Sequence, residues 1–474
     1  MSTLNPKAVP HNVKNAAYSG YFKTDIPAYD AEITRVGPGT PLGEYMRGFW
    51  QPVCLSEQLK ELPRAIRILG EDLVAFRDGR GKIGVLHRHC CHRGTSLEFG
   101  IVQQCGIRCC YHGFQYDVDG TIIEVPGEPD KGRKLKQTVS QGAYPALERA
   151  GLVFAYMGAP DKKPDFPDYD AYDAYPDLDL VPFSNVFPCN WLQVMDNICD
   201  QMHTAFLHNN MVVPGTDPGP TSLSYAFAQL PQLSYKPVRD GTGMVFIAGR
   251  RIEDRIWVRI NDVILPNVTQ HAYLFEDGAK RRLFHRVHMS RWYVPVDDTN
   301  TIIYGWRMFG DSIDPLRKGN RARLGWDDMD FLEGQVGDRT YEEGQRAPGD
   351  WEAIKSQRPI AIHALENPMA GDIGVYLARK LLREAIRGKN PAAAPERMAA
   401  RTTLEGRHYC YTQNSILDIP RRASSEEDEA VVRQVCQRVL DLTAAADGLA
   451  AHERTHYIET GLQEIERALA LQPA

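Results

Sequence analysis

The sequence predicts an α+β protein: a small all-β domain toward the N-terminus, then a larger domain in which helices cover an antiparallel sheet. Three observations predict it. Between Phe49 and about Met157 the chain is a series of brief apolar runs punctuated by Gly and Asp. From residue 244 to residue 310 the apolar, β-branched runs are longer and follow one another closely. Beyond residue 370, two stretches show helical spacing with acidic starts.

Taken in order, residues 1–44 read as an irregular extension that leaves through the Pro/Gly-rich VGPGTPLG. AIRILG, EDLVAFRD, KIGVLHR and GLVFAYMG are the short strands of the first domain, 45–158. GRGKIG, with Gly79, Gly81 and Gly84, matches a nucleotide-binding glycine pattern. It precedes a strand, not a helix, so a hairpin turn is expected there. APDKKPDFPDYDAYDAYPDLDL has no apolar period and reads as a linker crossing a surface. The second domain, 159–474, follows. MVFIAGRRI, RIWVRINDVILPN, LFHRVHMSRWYVPV and NTIIYGWRMFG are its expected sheet strands, and GDIGVYLARKLLREAIRG and SSEEDEAVVRQVCQRVLDLTAA its helices. The last ninety or so residues read as helices that cover the sheet or join subunits.

Composition narrows the function. A net charge of -6 over 474 residues argues against a phosphate-binding surface and so against nucleic acid. No apolar run approaches the ~20 residues of a membrane helix, and MSTLNPKAVPHNVKNAAYSG lacks a secretory core. A cytoplasmic protein is expected. Ten Cys in so long a chain do not suggest a disulfide framework.

Chemistry concentrates in RHCCHRGTSLEFG and IRCCYHGFQYD, which place Cys90 beside His92 and Cys109 near His112. Four such ligands suit zinc or an iron–sulfur cluster. One Cys and one His from each loop favour a [2Fe–2S] cluster with two thiolates on one iron and two imidazoles on the other. Gly94 and Gly113 follow the ligand segments and permit sharp turns. Cys91 and Cys110 fill variable slots and read as non-ligands.

A second constellation lies in NWLQVMDNICDQMHTAFLHNN, where Asp200, His203 and His208 form D-x-x-H-x-x-x-x-H. Two His and a carboxylate suit a non-heme Fe(II) that keeps positions open for O2. Residues five apart on a regular helix diverge by about 140°. A bulge, or a helix that ends before His208, is therefore required for both His to reach one metal.

FWQPVCLSEQL, IRILGEDLVAFRD, CCHRGTSLEFG and CCYHGFQYDVDGTIIEVPGEP together resemble the Rieske domain of the non-heme iron ring-hydroxylating oxygenases, phthalate-dioxygenase-like group. The resemblance continues through the D-x-x-H-x(4)-H element. Cys91 departs from it, since the family usually has Pro there. The resemblance implies a terminal oxygenase (alpha) subunit with a [2Fe–2S] cluster on Cys90, His92, Cys109 and His112. It implies mononuclear Fe(II) on His203, His208 and a downstream carboxylate, with Asp200 bridging between an iron-ligand His and a Rieske His. APGDWEAIKSQRPI nominates Asp350, with Asp372 as runner-up, and Gly349 stands where the family often has an acid. The implied partners are a separate NAD(P)H-dependent reductase, O2, a small organic substrate, and further copies in a homotrimer or stacked trimers. A carboxylated aromatic substrate would want an Arg such as Arg250, Arg251 or Arg259; a small aliphatic or tertiary alcohol would not. Pocket walls are expected from Met195, Ile198, Phe206 and Leu207. The alternative is a Rieske electron carrier fused to a non-catalytic binding domain.

Overall fold

The computed structural model describes residues 16–172, 176–208, 223–272, 287–314, 317, 319–328, 334–400 and 407–470. The first fifteen residues of the segment tested for a secretory core, and part of the strand expected at LFHRVH, lie outside them.

Two short helices stand where irregular chain is expected, α1 (Ala31–Thr34) and α2 (Pro41–Arg47). Each has a sequence cause. Asp30 accepts from the Glu32 amide, and Thr40 accepts from the Gly43 amide just ahead of a Pro at the first helical position. Neither would persist alone at this length. Asp30 and Glu32 bind Arg383, and Glu32 also binds Arg387, so partners 350 residues away hold α1.

The all-β region contains three small antiparallel sheets. β1 (Trp50–Leu55) pairs with the last strand, β11 (Leu152–Tyr156), which also takes β10 (Ala146–Arg149). β2 (Arg64–Ile68), β3 (Glu71–Arg77), β4 (Ile83–His87) and β9 (Ala143–Tyr144) form the second. β5 (Ile101–Val102), β6 (Ile107–Arg108), β7 (Gln115–Tyr116) and β8 (Ile122–Glu124) form the third. Gly81 sits at φ 80 between β3 and β4, so the glycine pattern is indeed a hairpin turn.

The segment expected to cross a surface does so over residues 159–163, which are exposed, and then turns inward. Tyr169, Asp170 and Tyr172 are buried, and Asp170 accepts from the Cys410 amide. Aromatic rings placed between polar residues hid this anchorage. The segment leads into an eight-stranded antiparallel sheet. Its strands are β12 (Asp179–Phe187), β13 (Gln232–Val238), β14 (Gly243–Ile252), β15 (Arg255–Ile264), β16 (Val268–Ala272), β17 (Val287–Asp297), β18 (Asn300–Phe309) and β19 (Gln413–Leu417), in the order 12-18-17-16-15-14-13. β19 joins the same side of β15 as β16: it pairs residues 256–260, while β16 pairs 262–264.

Helices cover both faces. Helix α3 (Trp191–Cys199) packs on β17 and β18, and helix α6 (Ile373–Ile386) on α3 and β14. Between them in sequence come α4 (Thr204–Leu207) and α5 (Asp350–Lys355). Helices α7 (Ser425–Ala445) and α8 (Ala451–Ala470) close the other face over Val245, Ile247, Ile256, Val258 and Ile260. No helix among the described residues is long and apolar enough to cross a membrane.

Candidate metal centres

The first centre lies on two neighbouring loops, β4–β5 and β6–β7. Each loop is closed the same way. The Gly94 amide donates to the Cys90 carbonyl (2.9 Å) and the Gly113 amide to the Cys109 carbonyl (3.1 Å). Both glycines have φ near 75–78, which side chains resist. The His of each loop is thereby swung round toward the other: the His92 and His112 rings lie 4.6 Å apart, edge to face. His92 also stacks on Phe114 at 4.7 Å. The two Cys are buried, in a core cluster with Phe76, Leu86 and Ile107. Burial pushes the Cys109 thiol up, while the amides of Tyr111 and His112 aim at its sulfur and act the other way. Burial and the neighbouring charges of His92 and Arg93 push His112 down, toward the neutral ring that binds metal.

Three supporting residues escaped sequence reading. The Tyr116 hydroxyl lies 2.9 Å from Cys90 Sγ and 3.4 Å from Cys91 Sγ. Burial and those thiols push its pKa up, so it remains a donor. Gln141 takes the Cys91 amide (2.8 Å) and donates to the His87 and His89 carbonyls, bracing the first loop. Arg108 donates to the Gly113 carbonyl in the second.

The second centre is built where α3 ends. Asn190 caps the helix start by accepting from the Leu192 amide, and its Nδ2 binds the Thr34 and Asp298 carbonyls. At Asp200 the backbone turns extended, and the helix stops. Helix α4 is a single turn, with His203 immediately before it and His208 immediately after. Both His keep helical angles, and the Leu207 and His208 amides bond the His203 and Thr204 carbonyls, so the five-residue spacing is met from the two ends of one turn without a bulge. Both Nε2 atoms lie 3.4 Å from Asp350 Oδ1. Donor atoms of His203, His208 and Asp350 all fall within 4.8 Å of one another. Bonds of about 2.1 Å to one metal separate adjacent donors by roughly 3 Å, so the set fits a single ion.

Asp350 opens α5 and is buried. Burial opposes its charge, but His208, His203 and Gln335 hold its carboxyl far below the usual range. Asn197 donates to its Oδ1 at 3.3 Å and Gln335 to its Oδ2. Neither amide was foreseen, since nothing local marks a Gln or an Asn whose partner lies 15 or 153 residues away. A side chain at Gly349 would meet Gly334 Cα at 2.5 Å, which explains why no acid stands there. Asp372 lies outside this cluster, and its carboxylate takes the Met369 amide at 2.7 Å.

Asp200 Oδ2 is 3.5 Å from His203 Nδ1, and its Oδ1 takes the amides of Met202 (2.8 Å) and His203 (3.4 Å). Against its burial, Asp200 and Asp350 raise the His203 pKa to about 9. Burial lowers that of His208, with the charges of His203, Arg259 and Arg250 adding and Asp350 opposing. Asp200 and His203 border an open depression shared with Asp196, Glu366, Tyr376 and Arg379. Of the expected pocket walls, Met195 is buried in the core, Ile198 packs against it, and Leu207 borders the depression. Phe206 does not serve, being 66% exposed: its one-turn helix directs Thr204 and Ala205 inward instead.

The family described as Rieske [2Fe-2S] domain matches residues 49–140. Across its length the chain is similar to the tert-butanol monooxygenase / tert-amyl alcohol desaturase oxygenase subunit of Aquincola tertiaricarbonis, with 50% identity over 96% of this chain and 98% of that one. Phenoxybenzoate dioxygenase subunit alpha of Ectopseudomonas oleovorans is 34% identical over 81% of this chain and 92% of its own. The crystal structure of dicamba monooxygenase bound to dicamba superposes with a TM-score of 0.53 at 16% identity, covering 72% of this chain and 98% of that one, a likeness of fold.

Proposed function

This chain belongs to the Rieske non-heme iron oxygenases as a terminal oxygenase (alpha) subunit, and from that premise we propose which of its residues hold the two metal groups. Cys90, His92, Cys109 and His112 hold the [2Fe–2S] cluster; His203, His208 and Asp350 hold the mononuclear iron. The observation that carries the reading is the convergence of those last three donor sets on one point, from segments that end one helix and begin another. The cluster supplies electrons singly, and the iron supplies the chemistry of O2. The chain's own residues prepare both. In this reading Asp200, whose Oδ2 faces His203 Nδ1 at 3.5 Å, orients that ring so that Nε2 is presented to the iron. Asp350 stays ionised because imidazoles and Gln335 favour its charge over burial.

The domain division proposed is an extension over 1–44, a Rieske domain over 45–158 and a catalytic domain over 159–474. Electrons come from NAD(P)H through a separate reductase chain, in the cytoplasm. We assign the depression beside Asp200 to the Rieske loops of a neighbouring copy. Its border carries Asp200 and Asp372, together with Asp196 and Glu366, which Arg379 binds, while the loop tips expose His92, Arg93 and Tyr111. Such a head-to-tail contact closes into a homotrimer, alone or stacked. The reaction is hydroxylation of a small organic substrate; the two named relatives act on tertiary alcohols and on a phenoxybenzoate.

Iron analysis with heavy-isotope O2 tests the reading. An oxygenase holds the two cluster irons plus one and places labelled oxygen in product. An electron carrier fused to a binding domain holds only the cluster irons and labels nothing.

A further inference from the structure

The eight-stranded sheet has two faces, and only one of them leads to the second centre. On β15, Trp257 reaches His208 through the ring of Phe227, at 5.4 and 5.7 Å, while Ile256, Val258 and Ile260 lie against α7 and α8. Side chains alternate along a strand, so Ile264 stands on the α7 side, away from His208. Ile264 pairs with Val268 of β16, and Val268 with Trp292 of β17. Directly paired residues share a face. These three side chains therefore form one patch behind the sheet, about 23 Å along β15 from Trp257.

A cavity of about 60 Å3 lies over that patch, whereas a single water needs about 10–15 Å3. Pro164, Pro167 and Pro266 stand in its walls, and the short helix Pro395–Ala400 borders it with Pro395, Met398 and Ala399. Trp50, the first residue of β1, adds a ring and donates to the Pro164 carbonyl at 3.0 Å. The cavity thus sits where the first domain, the segment leaving it and the large sheet meet, a common place for a small-molecule site. Proline rings cannot swing inward, so a change of rotamer does not close it.

The walls are mostly apolar. The guanidinium of Arg239 is already matched: Asp262 takes both its terminal nitrogens, the first at 2.8 Å, and the Tyr409 carbonyl takes the second at 2.6 Å. It has no uncompensated charge to offer an anion. Among the described residues no Asp or Glu lines the cavity to receive a cation. One donor is left over. Trp50, Trp191, Trp257, Trp306 and Trp351 each give their indole N–H to an oxygen, as buried indoles usually do. Trp292 is 3% exposed and makes no such bond among the described residues, and its N–H is not sealed in.

We propose that this cavity is a binding site, separate from the iron, for a small uncharged organic molecule. Its size suits an apolar body of about five or six heavy atoms, and Trp292 Nε1 donates to a single acceptor oxygen on it. Compact ketones and alcohols are the class. The bound molecule touches β1, the joining segment and the sheet together, and so fastens the two domains to each other.

The test uses the assembled holoenzyme, with xenon and cyclopentanone as probes. Crystals pressurised with xenon show a peak among Val268, Trp292 and Met398, and saturating cyclopentanone displaces it. In calorimetric titration W292F, which keeps an apolar ring, weakens cyclopentanone about fivefold, the worth of one neutral hydrogen bond, and leaves the xenon peak in place. A399L fills the cavity and removes both the xenon peak and this ketone site. Cluster absorption and iron content verify each variant, and W292F decides alone if A399L does not assemble. A wild type without the xenon peak overturns the proposal. So does a peak that survives saturating cyclopentanone, or ketone affinity unchanged in W292F, since the ketone is then held elsewhere.

Discussion

Replacing Asp200 by Asn changes one atom and isolates the link proposed between the two centres. Oδ1 remains an acceptor, so the amides of Met202 and His203 keep their partner and α4 keeps its start. The atom that changes is Oδ2, 3.5 Å from His203 Nδ1. As an amide nitrogen it can only donate, and it meets another donor. What is lost is the carboxylate's attraction for the imidazole, of the order of a hydrogen bond to a charged group, about 1.5–3 kcal/mol, which corresponds to about a tenfold to hundredfold change. We expect both metal groups to stay bound and the thermal midpoint to stay within a few degrees. We expect oxidation of the prereduced cluster, in the presence of O2 and substrate, to slow by about that factor. Stopped-flow absorbance of the cluster reads this directly. Reoxidation and product formation at the wild-type rate would refute the bridging role, and loss of iron would show that Asp200 holds the site together instead.

Asp350→Ala should lose mononuclear iron and hydroxylation while keeping the cluster spectrum, and Asp372→Ala should keep all three; iron analysis distinguishes them, and the reverse pattern would move the third ligand. Cys109→Ala should abolish the visible absorption of the cluster. Cys91→Pro should keep it but lower the thermal midpoint, because Pro removes the amide that donates to Gln141 at 2.8 Å, a bond worth about 1 kcal/mol. Glu32 is held below its ordinary 4.5 by Arg387, against burial, with Arg383 adding. A depressed carboxyl stabilises above its unfolded value and stops doing so as pH falls through the folded one. Hydrogen-exchange protection factors at residues 31–34, taken against the intrinsic rate at each pH, should therefore hold above about pH 5 and fall below it, and Arg387→Met should weaken that dependence; protection rising in acid would contradict the clamp.

The proposed ligands of both centres stood out in the sequence because they form short-range patterns of rare, reactive residues. Cys90, His92, Cys109 and His112 lie on two loops, and His203 and His208 on one turn. Asp350 needed the resemblance, since no local feature separates it from Asp372. The strands and the two long helices were legible from their periods. Helix α1 was not, because the arginines that hold it come from the last turn of α6 and the residue just past its end. Nor was the orientation of Arg250 against Arg251. β14 is buried on nearly every residue, so alternation leaves no trace in its polarity, and only the far partners, Thr204 and Asp428, tell inside from outside. Asn197 and Gln335 escaped for the same reason: their value lies wholly in what they touch.

The place of β19 has a consequence for how the chain is made. β15 leaves the ribosome with residues 256–260 lacking a neighbour on one side, and the strand that completes that side lies about 150 residues further on. At 5–20 residues per second the edge waits roughly ten to thirty seconds. Throughout that time a row of amides and carbonyls on an apolar strand stands open to any other extended chain, including another nascent copy. The newborn enzyme is therefore most vulnerable to aggregation after its metal-binding segments have been made and before its sheet is whole. Slower translation, warmer growth or a shortage of chaperones should reduce the yield of folded protein first, whatever the supply of iron.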